Sequence, residues 1–127
     1  MNLEYSDIVK DHFFHPRNVG RLSSPSGSGT VGNPSCGDVM TIDIIVKNNI
    51  IKEAKFQTYG CAAAIASGSM TTELIKGKTI DECKQLSMDD IITELGGLPQ
   101  EKTHCSNLAT DALHKAIQNY QQNKSGE

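Results

Sequence analysis

The chain has no tryptophan and only three phenylalanines and three tyrosines among 127 residues. A core must therefore rest on Ile, Leu, Val, Met and Ala. It also lacks a basic excess: 12 Lys and Arg stand against 15 Asp and Glu, a net charge of -3. That excludes a large cationic field for nucleic acid or anionic lipid. No apolar run approaches about 18 residues, so no segment reads as a membrane span. The opening residues, Met1 to Asp7, show neither a basic region followed by an apolar stretch nor an Arg-rich, acid-poor composition. A cytoplasmic location is the expectation, and with it reduced thiols rather than disulfides. Finally, the four cysteines include no Cys-x2-4-Cys pair, which speaks against a structural zinc module.

What is present reads as one α+β domain spanning 1–127, with residues 1–4 and 121–127 frayed at the ends. Tyr5, Ile8, Val9, His12 and Phe13 follow helical spacing until Pro16. The stretch Leu22 to Gly37, dense in Ser, Gly and Pro, holds one short strand near Thr30 and Val31 and is mobile unless pinned. From Val39 to Lys47, Met40, Ile42, Ile44 and Val46 alternate with Thr41, Asp43 and Lys47, the pattern of a half-buried strand. The dipeptide Asn48-Asn49 predicts a hairpin turn into a second strand that keeps Ile50, Ala54, Phe56 and Thr58 on one face. A small three-stranded antiparallel sheet results. Gly60-Cys61 opens an Ala-rich helix with Ala62, Ala66, Met70 and Leu74 four residues apart, closing at Lys76-Gly77. Thr79 to Glu82 and Ser87 to Asp90 carry capping-box patterns for two short helices. Leu98 to Lys102 reads as extended. Ala109, Ala112, Leu113, Ala116, Ile117 and Tyr120 then form the apolar stripe of a long C-terminal helix packed on the sheet.

Three cysteines carry the chemistry. Cys36 lies in Gly32-Asn33-Pro34-Ser35-Cys36-Gly37-Asp38, Cys61 follows Tyr59-Gly60, and Cys105 follows His104. Cys61 and Cys105 fall at helix starts, where free amides and the helix dipole favour thiolates. Soft thiolates select zinc, copper(I) and iron-sulfur clusters. A permanent ferredoxin cluster normally uses four cysteines, and the fourth here, Cys83, sits with Ile80 and Leu86 in a short helix as a core residue. Asp38 and His104 are the non-thiol ligand candidates. Both are harder than thiolate and can be protonated off a metal, so either leaves more readily than a fourth thiolate. Such a site suits exchange. His12, His15 and His114 read as packing or surface residues.

The segments Asp11 to Gly20, Cys36-Gly37-Asp38, Tyr59 to Ser67 and Lys102 to Ser106 together resemble the IscU/NifU-type iron-sulfur cluster assembly scaffold. The likeness runs from Tyr5 to about Tyr120. It implies a carrier rather than an enzyme: a labile [2Fe-2S] cluster is built from iron and from persulfide sulfur supplied by a cysteine desulfurase, then passed to apo iron-sulfur proteins. Under it the ligands are Cys36, Cys61 and Cys105, with Asp38 or His104 in the fourth place. Cys105 is the persulfide acceptor, and Lys102 pairs with Asp38 or a ligand thiolate to modulate metal entry. Zinc in the isolated protein, a frataxin-like partner, and a homodimer around one cluster also fall within what the family implies. So does contact of the N-terminal helix with the desulfurase.

Two positions depart from the family pattern. Its members usually carry Leu-Pro-Pro-x-Lys where this chain has Leu98-Pro99-Gln100-Glu101-Lys102, a motif read by an Hsp70-type chaperone working with a J-protein. Loss of the second proline relaxes the extended shape such a groove selects and weakens the expected partnership. Ala62 replaces the glycine that commonly follows the second cysteine. The alternative to a scaffold is a zinc-dependent sulfur-transfer enzyme of the SufU-like branch using the same cysteines. Against it, the 44 residues from Cys61 to Cys105 leave no room for that branch's insertion.

Overall fold

Two antiparallel strands joined by Asn48 and Asn49 lie at the centre of the architecture, which a computed structural model describes for residues 5–33 and 38–125. The elements are α1 (Asp7–Phe14), β1 (Gly27–Asn33), β2 (Asp38–Lys47), β3 (Ile50–Tyr59), α2 (Ala62–Ile75), α3 (Ile80–Lys84), α4 (Met88–Glu94) and α5 (Thr103–Ser125). The strands form one antiparallel sheet in the order β1-β2-β3, with the helices packed on it. Among the described residues, no helix is long and apolar enough to cross a membrane.

Asn48 and Asn49 adopt left-handed φ values of 55° and 64°, as a tight two-residue hairpin requires. The β2-β3 register shifts between Ile45 and Val46. That bulge changes which β3 residues face inward. Ile51, Ala54 and Phe56 are fully buried, whereas Ile50, expected on the same face as Ala54, is only partly covered.

The other face of β2 is not open to solvent as its alternation suggested. Asp43 has no exposed surface. Arg21 Nε donates to its Oδ2 at 2.7 Å, the Leu22 amide to the same oxygen at 3.0 Å, and Ser28 Oγ to Oδ1 at 2.6 Å. The chain before β1 thus folds over β2 and is clipped there by a buried carboxylate. Burial alone would push the Asp43 carboxyl up, but these three donors outweigh it and hold its pKa below the usual range. A lowered folded pKa gives stability that is present above the unfolded value of about 3.9 and lost as pH falls through the folded one. Asp43→Ala should cost about 3 kcal/mol, with Arg21 half exposed and so only partly stranded. Urea unfolding should show this loss at pH 7 and a progressively smaller one as pH falls below about 3.9 toward the folded pKa.

The Gly-rich β1 is pinned by α5. A Cβ on Gly29 would collide with the backbone of Ala112, Lys115 and Ala116, and one on Gly27 with Ala116 and Tyr120. Glycine here permits close approach of strand and helix. The main core joins Met40, Ile42, Ile44, Ile51 and Phe56 of the sheet to Ala109, Ala112, Leu113, Ala116 and Ile117 of α5, with Cys83 inside it. The Cys83 thiol points at the Ile75 carbonyl at 3.9 Å, and burial pushes its pKa up to about 11. Cys83 is a core residue, as its sequence setting indicated.

Helix α2 is buried nearly all round, including Ala63, Ala64, Ser67, Gly68 and Thr71 as well as Ala66 and Met70. Its small residues let α1, β3, α4 and α5 approach from several sides, so its Ala62-Ala66-Met70-Leu74 stripe is not its only packed face. Both short helices carry the capping boxes their sequences announced, Thr79 with Glu82 and Ser87 with Asp90. The segment expected to be extended differs. Only Leu98 precedes a proline and is so restricted, while Gln100–Lys102 forms a 3-10 turn with the Lys102 amide bonded to the Pro99 carbonyl at 2.8 Å. The turn runs straight into α5, whose helical backbone extends to Ser125.

Candidate functional site

Three chain segments meet at one end of the sheet. Cys61 follows β3 and is the N-cap of α2, with extended φ of -82° and ψ of 178°. The β2-β3 register pairs Val39 with Tyr59, which brings Asp38 beside Gly60. A Cβ built there would stand 3.0 Å from Asp38 Oδ1, so Gly60 makes room for the carboxylate. His104 and Cys105 come from the first turn of α5.

The side chains form a contact sequence. Cys61 Sγ lies 3.5 Å from Cys105 Sγ, Cys105 Sγ 3.6 Å from His104 Nε2, and His104 Nε2 3.4 Å from Asp38 Oδ2. Two thiolates on one tetrahedral ion with bonds of about 2.3 Å stand about 3.8 Å apart, and replacing one or both by nitrogen or oxygen shortens that edge to about 3.4–3.6 Å. Each observed separation is within a few tenths of an ångström of its counterpart. No three of these side chains close on a single point among the described residues. Cys36 lies outside the described residues, so its place relative to this group is not part of the geometry.

The two thiols are not equivalent. Cys105 is fully buried against Ala63 and Ala64, while Cys61 is partly exposed. A hydrogen bond from the Cys105 thiol, the amides of Ala64 and Ala63, and the field of Lys102 overcome burial and pull Cys61 down to about 5. The same hydrogen bond, burial, and the negative charges of Cys61 and Asp38 push Cys105 well above the ordinary thiol range. The two thiols are thus driven in opposite directions, Cys61 toward thiolate and Cys105 toward thiol. The helix-start argument succeeds for Cys61 and fails for Cys105. Cys105 does lie in the first turn of α5, but its hydrogen bond to Cys61, its burial and the charges of Cys61 and Asp38 outweigh that placement.

Among the described residues Lys102 makes no salt bridge with a carboxylate, and Cys36, one of the thiolates it was expected to pair with, lies outside them. The influence of Lys102 is through space, and Cys61 is the largest contributor to its raised pKa. Tyr5, not singled out from the sequence, belongs to the surroundings: it packs against the cluster of Ala63, Ala64 and Cys105. Burial and then Cys61 raise its phenol pKa. Its place in the α1 periodicity gave no sign of this. His12 is a packing residue, with Nδ1 2.7 Å from Ser69 Oγ, and burial lowers its pKa below the ordinary imidazole value. His15 and His114 are exposed.

Comparison with known proteins bears on the family and the fold. The chain is 60% identical over 116 residues to the iron-sulfur cluster assembly scaffold protein IscU 1 of Archaeoglobus fulgidus, covering 91% of this chain and 76% of that one. It is 48% identical over 126 residues to the iron-sulfur cluster assembly scaffold protein IscU of Azotobacter vinelandii, covering 96% and 98%. The fold matches the crystal structure of the N-terminal part of a nitrogen-fixing NifU-like protein from Brucella abortus with a TM-score of 0.74 at 18% identity, over 92% of this chain and 94% of that one. Residues 4–126 match the model of the NifU-like N-terminal domain, and the chain belongs to that family.

Proposed function

We propose that this chain is a scaffold on which a labile [2Fe-2S] cluster is assembled from iron and desulfurase-derived persulfide sulfur and then passed to apo-proteins. The observation that carries the proposal is the run of contacts from Cys61 through Cys105 and His104 to Asp38, spaced like edges of a tetrahedral metal site. Cys61 offers a ready thiolate to iron. Cys36 completes the thiolate set, and Cys105 takes the sulfane sulfur. Asp38 and His104 stand as a touching pair of harder donors, either of which can occupy the fourth place and release it on protonation. Lys102 holds down the charge on Cys61 and so tunes its hold on the cargo.

The partners follow from the same proposal. A cysteine desulfurase supplies sulfur and apo iron-sulfur proteins receive the product. The apolar residues Ile8 (43% exposed) and Phe14 (69% exposed) on α1 support docking of the desulfurase along that helix. The Gln100–Lys102 turn removes the extended segment a chaperone groove would select, which argues for weak dependence on an Hsp70-type chaperone.

Anaerobic purification with iron, acid-labile sulfide and zinc counted per chain tests the function. Iron and sulfide in equal amounts after reconstitution are expected. Zinc alone, with no transferable cluster, would point instead to the SufU-like sulfur-transfer enzyme. Asp38→Ala should slow cluster transfer about tenfold while leaving cluster formation within about twofold, because a protonatable hard ligand governs release more than binding. Equal effects on both rates, followed by visible absorbance, would remove Asp38 from release.

A further inference from the structure

The spacing of the two thiols bears on how sulfur of oxidation state zero becomes the sulfide a cluster needs. Cys61 Sγ and Cys105 Sγ stand 3.5 Å apart, within the range from which nucleophile and electrophile react without further approach of their carriers. A disulfide bond of about 2.05 Å requires them to close by only about 1.5 Å. The pair is held by two helices, Cys61 as the N-cap of α2 and Cys105 in the first turn of α5. Cys83, in the main core, belongs to a different packing cluster.

We infer that Cys61 is a resolving thiol for a persulfide on Cys105, so that the pair itself reduces sulfane sulfur to sulfide. This rests on the proposal above that Cys105 accepts the sulfane sulfur. The sulfur of Cys61 attacks Cys105 Sγ and displaces the terminal persulfide sulfur. The Cys61-Cys105 bond forms as the Cys105 sulfur-sulfur bond breaks. The terminal sulfur leaves with the bonding pair and takes a proton from solvent, departing as hydrosulfide. The two cysteine sulfurs each give up one electron and become a disulfide, and a dithiol reductant is needed before the next round. His104, with its Nε2 3.6 Å from Cys105 Sγ and its side chain 58% exposed, lies on the solvent side of the pair and gives the displaced sulfur a route toward solvent or iron.

The test uses metal-free protein, fully reduced and then freed of thiols, in two arms. In the first, glutathione persulfide is added, hydrosulfide is measured, and disulfides are mapped by alkylation and peptide mass spectrometry. About one hydrosulfide and one Cys61-Cys105 disulfide per chain are expected. Cys61→Ser should fold normally, since serine is a favoured N-cap, and should keep a stable persulfide on Cys105 while hydrosulfide release falls about tenfold or more. Release unchanged in Cys61→Ser, or a disulfide mapped to Cys36 and Cys105, would overturn the inference. In the second arm glutathione disulfide replaces the persulfide, and the same Cys61-Cys105 disulfide is expected with Cys83 unmodified. Its absence would overturn the resolving geometry whatever the first arm gives. Sulfane sulfur never appearing on Cys105, while the second arm succeeds, would locate the failure in the acceptor assignment and end the inference with it.

Discussion

Cys105→Ser should fold and lose the cluster. The residue is packed against Ala63 and Ala64 with no exposed surface, and serine is slightly smaller, so no overpacking results. Its hydroxyl can still reach His104 or Cys61, which limits the cost of burying it to about 1–2 kcal/mol. A neutral hydroxyl, however, is a hard and poor ligand for iron where a thiolate is a soft and strong one. Retained iron and sulfide per folded chain should drop about tenfold or more. The contrasting variant is Cys83→Ala. Cys83 lies in the core with Ile75 and Ile80, where deleting one buried atom costs about 1 kcal/mol. That change should lower the urea midpoint and leave the cluster count per folded chain unchanged. Thermal unfolding and iron analysis on both variants separate the two roles; matching iron contents would mean Cys105 is not a ligand.

Gly29→Ala is expected to be the most damaging single-methyl change in the fold. The added carbon would overlap backbone atoms of Ala112, Lys115 and Ala116, none of which can swing aside as a side-chain tip can. Helix α5 would have to move off β1. The contacts of Leu113, Ala116 and Ile117 with the sheet would loosen with it. Overpacking in a rigid core costs about 1–3 kcal/mol and occasionally more, and here a helix is displaced along with the methyl, so about 3 kcal/mol or above is expected. Gly77→Ala makes a useful reference, because nothing lies within 4 Å of its added carbon and its cost comes only from a φ of 86°. If Gly29→Ala unfolds at the same denaturant concentration as Gly77→Ala, the close approach of β1 and α5 is not what holds this edge.

These two sites mark where the sequence was legible and where it was not. The hairpin at Asn48-Asn49 and both capping boxes could be read because the signals are local: a turn dipeptide or a hydroxyl three residues before an acid determines its own geometry. The burial of Cys83 could be read from its apolar neighbours. Gly27 and Gly29, by contrast, looked like loop residues, since the helix that requires them small lies more than 80 residues away. Asp43 looked solvent-facing because its partners, Arg21, Leu22 and Ser28, come from a segment without strand or helix pattern. The start of α5 was placed late because nothing local distinguishes a 3-10 entry from an extended one after Pro99. Of the site, the identities of Asp38, Cys61, His104 and Cys105 were visible in sequence, and their juxtaposition arises from the β2-β3 register and the α2-α5 packing. The inequality of the two thiols is wholly tertiary. It follows from burial of Cys105 and its hydrogen bond to Cys61, neither of which is written in either local motif.

The central claim is that this site holds a cluster in order to give it away. Its most direct test is anaerobic reconstitution followed by timed transfer to apo-ferredoxin, monitored by circular dichroism with a chelator present to intercept free iron. The account predicts that intact cluster leaves the scaffold and appears in ferredoxin at matching rates, insensitive to the chelator. A cluster that stays on the chain through the whole time course, or iron captured by the chelator with none reaching ferredoxin, would contradict it.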